Sequence, residues 1–125
     1  MLKIYLAVNA VLYVALALWC TFSPAKTAQA QGFLSLNASG SAEYLTIYGG
    51  LQFGLGLFFA MCAYHTRLSG AGLVFALCLY APLVLWRLGA FTQHWPVSST
   101  TLAVAGLEAF MLVWAGWLWF SQRAV

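Results

Sequence analysis

Two ionisable residues sit where lipid is expected. Arg87 lies near the end of one apolar run, and Glu108 lies about eight residues into the next. A bare charge near the bilayer centre costs at least about 2.5–3.5 kcal/mol even on the lenient insertion scale. Glu108 must therefore be protonated, paired or turned to a wet cavity, and Arg87 is the obvious partner. At about 1.5 Å per residue Arg87 stands roughly 4–6 Å further along the membrane normal, a gap its side chain can bridge. On a helical wheel Tyr80, Arg87 and Phe91 form one stripe, and Thr101, Glu108, Leu112, Ala115 and Trp119 form another. We read the two charges as a pair. The alternative is that Arg87 snorkels to the surface and Glu108 is held neutral.

The other polar groups within apolar runs are Asn9, Gln52 and the tyrosines Tyr5, Tyr13, Tyr48 and Tyr80. They can do one of two things. Each can tie helices together, a bond worth roughly 0.6 kcal/mol on average. Together with the charges they can instead line a polar pocket, and the candidate ligand-binding set is then Glu108, Arg87, Gln52, Tyr48, Asn9 and Tyr80. No catalytic set emerges. Cys20, Cys62 and Cys78 fall in apolar runs without a CxxC spacing. His65 and His94 fall in turns expected at opposite ends, so they cannot share a metal. The sequence holds no glycine-rich phosphate loop, HExxH or serine nucleophile motif. We assign no catalytic residue, metal or cofactor, and an enzyme is not the expectation.

The elements that must position these residues follow from composition. The 125 residues are 64% hydrophobic and 6% charged. Soluble domains carry about 25% charged residues, so this chain cannot build a water-facing surface. It is expected to fold in lipid as helices, which satisfy their own backbone groups there. Alternating segments of about ten residues, the mark of a membrane barrel, are absent. We expect one all-α domain, 1–125, a four-transmembrane-helix bundle with spans near 2–22, 43–64, 70–91 and 101–120. The net charge of +3 is too thinly spread for nucleic acid. The first run resembles a signal peptide, with Ala28-Gln29-Ala30 as a cleavage-like site, but about twenty apolar residues exceed the usual h-region of 7–15. We expect it to be retained. Ser23 to Ala42 is the longest connection, and its Phe33-Leu34-Ser35-Leu36 patch is expected at the interface. Pro82 is expected to kink the third span.

The stretch Glu43–Tyr64, EYLTIYGGLQFGLGLFFAMCAY, is apolar yet holds glycines, tyrosines and a glutamine. Glu43, Ile47, Gly50, Gly54 and Leu57 share one side of a wheel, and Tyr44, Tyr48, Gln52 and Leu55 another, with Gly49 and Gly56 between. Gly50 and Gly54 form a GxxxG pair that lets a second backbone approach. We expect Gly49, Gly50, Gly54 and Gly56 to pack helices and this span to be the central one. Glu43 is expected near the helix start, where the dipole favours an acid. Lys3, Arg67 and Arg123 fall on one side of a four-span layout and Lys26 on the other, which favours both termini in the cytoplasm.

The segments SPA after the first span, EYLTIYGGLQFGLGLF, WRLGAF and LEAFMLVWAG resemble a family of small bacterial membrane proteins of unknown function. That family is similar in layout to the DoxX-like superfamily of four-helix membrane proteins. In the family pattern an arginine stands between the glutamate and YGG. Here that interval is Tyr44-Leu45-Thr46-Ile47, so Glu43 lacks that local partner. The resemblance implies a bacterial inner (cytoplasmic) membrane protein with membrane lipid around it, and it supplies no reaction. Three functions are open. One is a non-catalytic accessory subunit of a larger membrane complex, or a homo-oligomer. Another is a binder of a lipophilic ligand such as a quinone or isoprenoid, which the resemblance favours. The third is a small proton-coupled exporter like the small multidrug resistance family, whose first-span glutamate is replaced here by Asn9.

Overall fold

From Leu2 to Phe22 the sequence has neither glycine nor proline, and the computed structural model, which describes residues 1–123, makes this stretch one uninterrupted helix, α1 (Leu2–Phe22). Ser23 ends it, and Pro24 takes the first position of a short helix, α2 (Pro24–Ala30), where a missing N–H does no harm. An extended strip follows. Asn37 then caps α3 (Ala38–Tyr64), its side chain accepting a bond from the Gly40 amide at 2.8 Å. The stretch Leu45–Leu51 of α3 is π-helical, a wider turn set inside the α-helix. A single 3₁₀ turn, Thr66–Leu68, leads to α4 (Ser69–Gln93), which continues through Pro82, and α5 (Ser99–Arg123) completes the described chain.

The protein is all-α, and four of its helical segments are long and apolar enough to cross a membrane: Leu2–Phe22, Ala38–Tyr64, Thr66–Gln93 and Ser99–Arg123. It is a multi-pass membrane protein. The second segment starts at Ala38 rather than Glu43, because the Asn37 cap starts the helix within a stretch that reads as loop. Glu43 is thus beyond the first turn of α3 and exposed, away from the unpaired amides that would favour an acid.

The helices run antiparallel as two hairpins, α1 with α3 and α4 with α5. The start of α1, the end of α5 at Arg123 and the His65–Leu68 turn lie at one end (the terminal end). The Ser23–Asn37 segment and the α4–α5 connection lie at the other (the loop end). At the terminal end all four long helices share one core built from Tyr5, Leu6, Phe59, Leu73, Ala76 and Met111, among others. The Tyr13 and Phe59 rings stack at 5.8 Å, and Tyr5 meets Trp114 edge-on at 5.1 Å. Toward the loop end this shared core stops. Among the described residues, α4 buries nothing beyond Tyr80 and α5 nothing before Met111. A second, smaller cluster of Cys20, Ala28 and Tyr44 belongs to the first hairpin and α2 alone.

One expectation is corrected here. α1 and α3 lie along each other; α1 also touches α4 and α5, and α3 also touches α4. The GxxxG pair does no packing. A methyl group built on Gly50 or Gly54 would meet nothing within 4 Å. The close approaches are at Gly49 and Gly56. A methyl on Gly49 would lie 2.8 Å from the Thr21 hydroxyl, and one on Gly56 would lie 2.6 Å from Val14 Cγ2 and 3.0 Å from the Val14 amide nitrogen. The α1 face they meet carries Ala10 and Ala17, small enough for the backbones to come together. The reason is spacing. Gly49 and Gly56 stand seven residues apart, only about 20° on a wheel, and so share the face that meets α1, whereas Gly54, in the same regular stretch as Gly56, lies about 160° away from it despite its GxxxG spacing from Gly50.

Candidate functional site

The intramembrane polar residues resolve into three groups, each held by different elements. The first is an ion pair across the second hairpin. Arg87 on α4 and Glu108 on α5 make a fork-to-fork contact: Nε donates to Oε2, and Nη2 donates to Oε1 at 2.6 Å. Their side chains are 26% and 12% exposed. A guanidinium matches a carboxylate in this planar geometry, and each charge supplies what the other would otherwise seek from water. Among the described residues it is the one ion pair in the protein. It ties α4 to α5 in the half where neither helix buries a residue against the first hairpin.

The second group is a chain of bonds through the shared core. The Tyr80 hydroxyl donates to Asn9 Oδ1 at 2.7 Å, and Asn9 Nδ2 donates to the Tyr5 carbonyl at 2.9 Å. The Tyr5 hydroxyl in turn donates to the Met111 carbonyl at 3.1 Å. Asn9 and Tyr5 are fully buried, and Tyr80 nearly so. The chain joins α4 to α1 and α1 to α5, and leaves Asn9 with a partner on each side of its amide. Tyr13 lies beside Tyr80.

The third group stands at the loop end. The Tyr44 hydroxyl donates to Thr27 Oγ1 at 2.8 Å, accepts from Gln31 Nε2 at 3.0 Å, and lies 3.7 Å from the Cys20 sulfur. Its ring stacks on Tyr48 at 4.5 Å and meets Phe33 edge-on. These contacts fasten α2 and the extended strip onto the start of α3.

The six sequence-derived candidates are therefore not brought to one place. Arg87 binds Glu108, Asn9 binds Tyr80, and Tyr48 belongs to the loop-end aromatic group. Gln52 stands one turn beyond Tyr48 on α3, on the face that also carries Phe59, and its Oε1 is buried with no hydrogen-bond donor among the described residues. The residues that sequence reasoning passed over are Thr27, Gln31 and Gly72. Thr27 and Gln31 read as loop because α2 is short and carries no apolar period. A methyl on Gly72 would lie 2.8 Å from Cys62 Cβ and 2.9 Å from Leu6, so α4 approaches the first hairpin closely there. Among the described residues no group of three metal-ligating side chains converges.

The best-formed cavity among the described residues lies away from the charges. It is a groove of about 250 Å³ at the loop end, between α2, the extended strip and the start of α3. No family model, no curated protein and no solved structure matches the chain.

Proposed function

We propose that this chain is a non-catalytic accessory subunit of a bacterial inner-membrane assembly, with both termini in the cytoplasm. One observation carries the reading. The polar side chains best suited to chemistry inside the membrane, Arg87, Glu108, Asn9 and Tyr80, are engaged as ties between helices. A group that must hold a helix in place is poorly free to exchange protons or ligands. The α4–α5 hairpin complements this reading, since its loop-end half presents Leu85, Trp86 and Leu88 outward. The topology rests on Lys3, Arg67 and Arg123 at the terminal end against Lys26 at the loop end. The test is native mass spectrometry of the chain purified in mild detergent from its own membrane. Stoichiometric association with a second, larger membrane protein, lost on Leu88→Lys, is expected. Recovery of the bare chain alone would refute it.

A second reading is kept because of Gln52. A buried carbonyl oxygen without a donor is uncommon and costly in a dry interior. A lipophilic molecule carrying a hydroxyl, such as a quinol or an isoprenoid alcohol, would satisfy it. Solvent extraction of the same sample separates the two readings. A stoichiometric quinone or isoprenoid, lost on Gln52→Leu, favours this one.

A further inference from the structure

We propose that the loop-end groove is a binding site for an anionic membrane lipid, with an acyl chain along the groove and the headgroup at Lys26. The groove is walled by Ala25 and Ala28 of α2, by Phe33 and Leu36 of the extended strip, and by Tyr44 and Leu45 of α3. Its lining is thus chiefly apolar, with Gln29, Ser35 and Ser41 as polar points. The shape is prebuilt. The Tyr44 hydroxyl bonds to Thr27 and Gln31, which holds α2 against α3, and the Phe33 ring is set edge-on to Tyr44.

Depth selects a lipid. At 1.5 Å per residue the 27-residue segment Ala38–Tyr64 is about 40 Å long, some 10 Å more than the hydrocarbon core. Ser39, Ser41 and Glu43 make its first turns polar, which puts the excess length at that end, so these turns stand at headgroup level and the groove opens there. Charge selects the headgroup. Ala25, Ala28 and Gln29 face the groove, and Lys26 follows Gln29 around α2 by about 60°, at the rim. Lys26 is exposed and has no carboxylate partner among the described residues. Glu43 would repel an anion, but it lies about 160° around α3 from Leu45 and at least 100° from Tyr44, turned away from the opening. A basic rim, an apolar trough and a distant acid suit an anionic amphiphile better than a neutral one.

The experiment uses the full chain in nanodiscs containing either phosphatidylglycerol or phosphatidylcholine with a photoreactive diazirine on the acyl chain. Adducts are mapped by peptide mass spectrometry. Labelling of the Ser23–Leu45 region is expected to favour phosphatidylglycerol about fivefold, the factor for one basic residue near an anionic lipid. Lys26→Gln should abolish that preference, whereas Lys3→Gln at the terminal end should leave it unchanged. Ala25→Trp, which fills the trough, should reduce labelling by both lipids. Lys26→Gln changes only an exposed side chain, so it decides the matter even where Ala25→Trp fails to fold. Equal labelling by the two lipids in the unaltered chain would overturn the proposal. So would a preference that survives Lys26→Gln, or adducts spread along the helices without enrichment in this region.

Discussion

The hydroxyl of Tyr80 donates to the side-chain oxygen of Asn9, 71 residues away in sequence, at 2.7 Å in the centre of the protein. Asn9 is 0% exposed, and its amide nitrogen is already committed to the Tyr5 carbonyl. The bond therefore joins the two hairpins through a residue that has nowhere else to turn. In a bilayer, where the hydrophobic effect does not drive helices together, such a bond specifies which face of α4 meets α1.

Tyr80→Phe should lower stability by about 1–2 kcal/mol, because it leaves the Asn9 oxygen buried without a donor. Tyr80→Phe combined with Asn9→Val should recover part of the loss, since two apolar groups leave nothing unsatisfied. Thermal unfolding in detergent, followed by circular dichroism, measures both. A double variant that loses the sum of the single losses would contradict the bond as an inter-hairpin tie.

Gly56 and Gly54 should behave oppositely although they stand two residues apart. Gly56→Val places methyl groups into the Val14 backbone and should destabilise by several kcal/mol or prevent folding. Gly54→Ala meets open space and should stabilise by up to about 1 kcal/mol through helix propensity. The same unfolding assay separates them. Equal losses at the two positions would mean that the face assignment of α3 is wrong.

How far the sequence discloses this structure can be judged residue by residue. The ion pair was legible because depth in lipid follows from counting residues, and the cost of an unpaired charge there leaves few outcomes for Arg87 and Glu108. The spans were legible for the same reason of length and apolarity. The packing glycines were not, because two pairings of the four glycines are each consistent with a helix, Gly50 with Gly54 and Gly49 with Gly56, and only the register against α1 selects the second. The loop-end group was not, because its organising bonds run from Tyr44 to Thr27 and Gln31, residues without apolar periodicity. Nor could composition show that Asn9 and Tyr80 are consumed by each other. That depends on the register of α1 against α4, which no local pattern encodes.

The topology is tested with single cysteines at exposed positions, Ser39→Cys in α3 and Thr66→Cys in the turn, after replacing the native cysteines. An impermeant maleimide applied to intact cells should label the α3 position and spare the one in the turn. The reverse pattern would invert the protein in the membrane and place the loop-end groove, proposed above to hold a lipid, on the cytoplasmic side.

The central claim is that the intramembrane charges hold the protein together rather than act on a substrate, and a double-substitution cycle on Arg87 and Glu108 tests it most directly. Arg87→Leu and Glu108→Leu should each cost on the order of 3 kcal/mol, because each strands the other's charge in a low-dielectric setting. The double variant should be less damaged than the two losses summed, and closer to the unaltered protein than either single variant. Stability is measured by thermal unfolding, and association with any larger membrane protein that co-purifies, as the proposed function requires, is measured on the same samples. The account predicts strong non-additivity, with partner association retained in the double variant. Additive losses, or a double variant that is fully folded yet no longer associates, would contradict it.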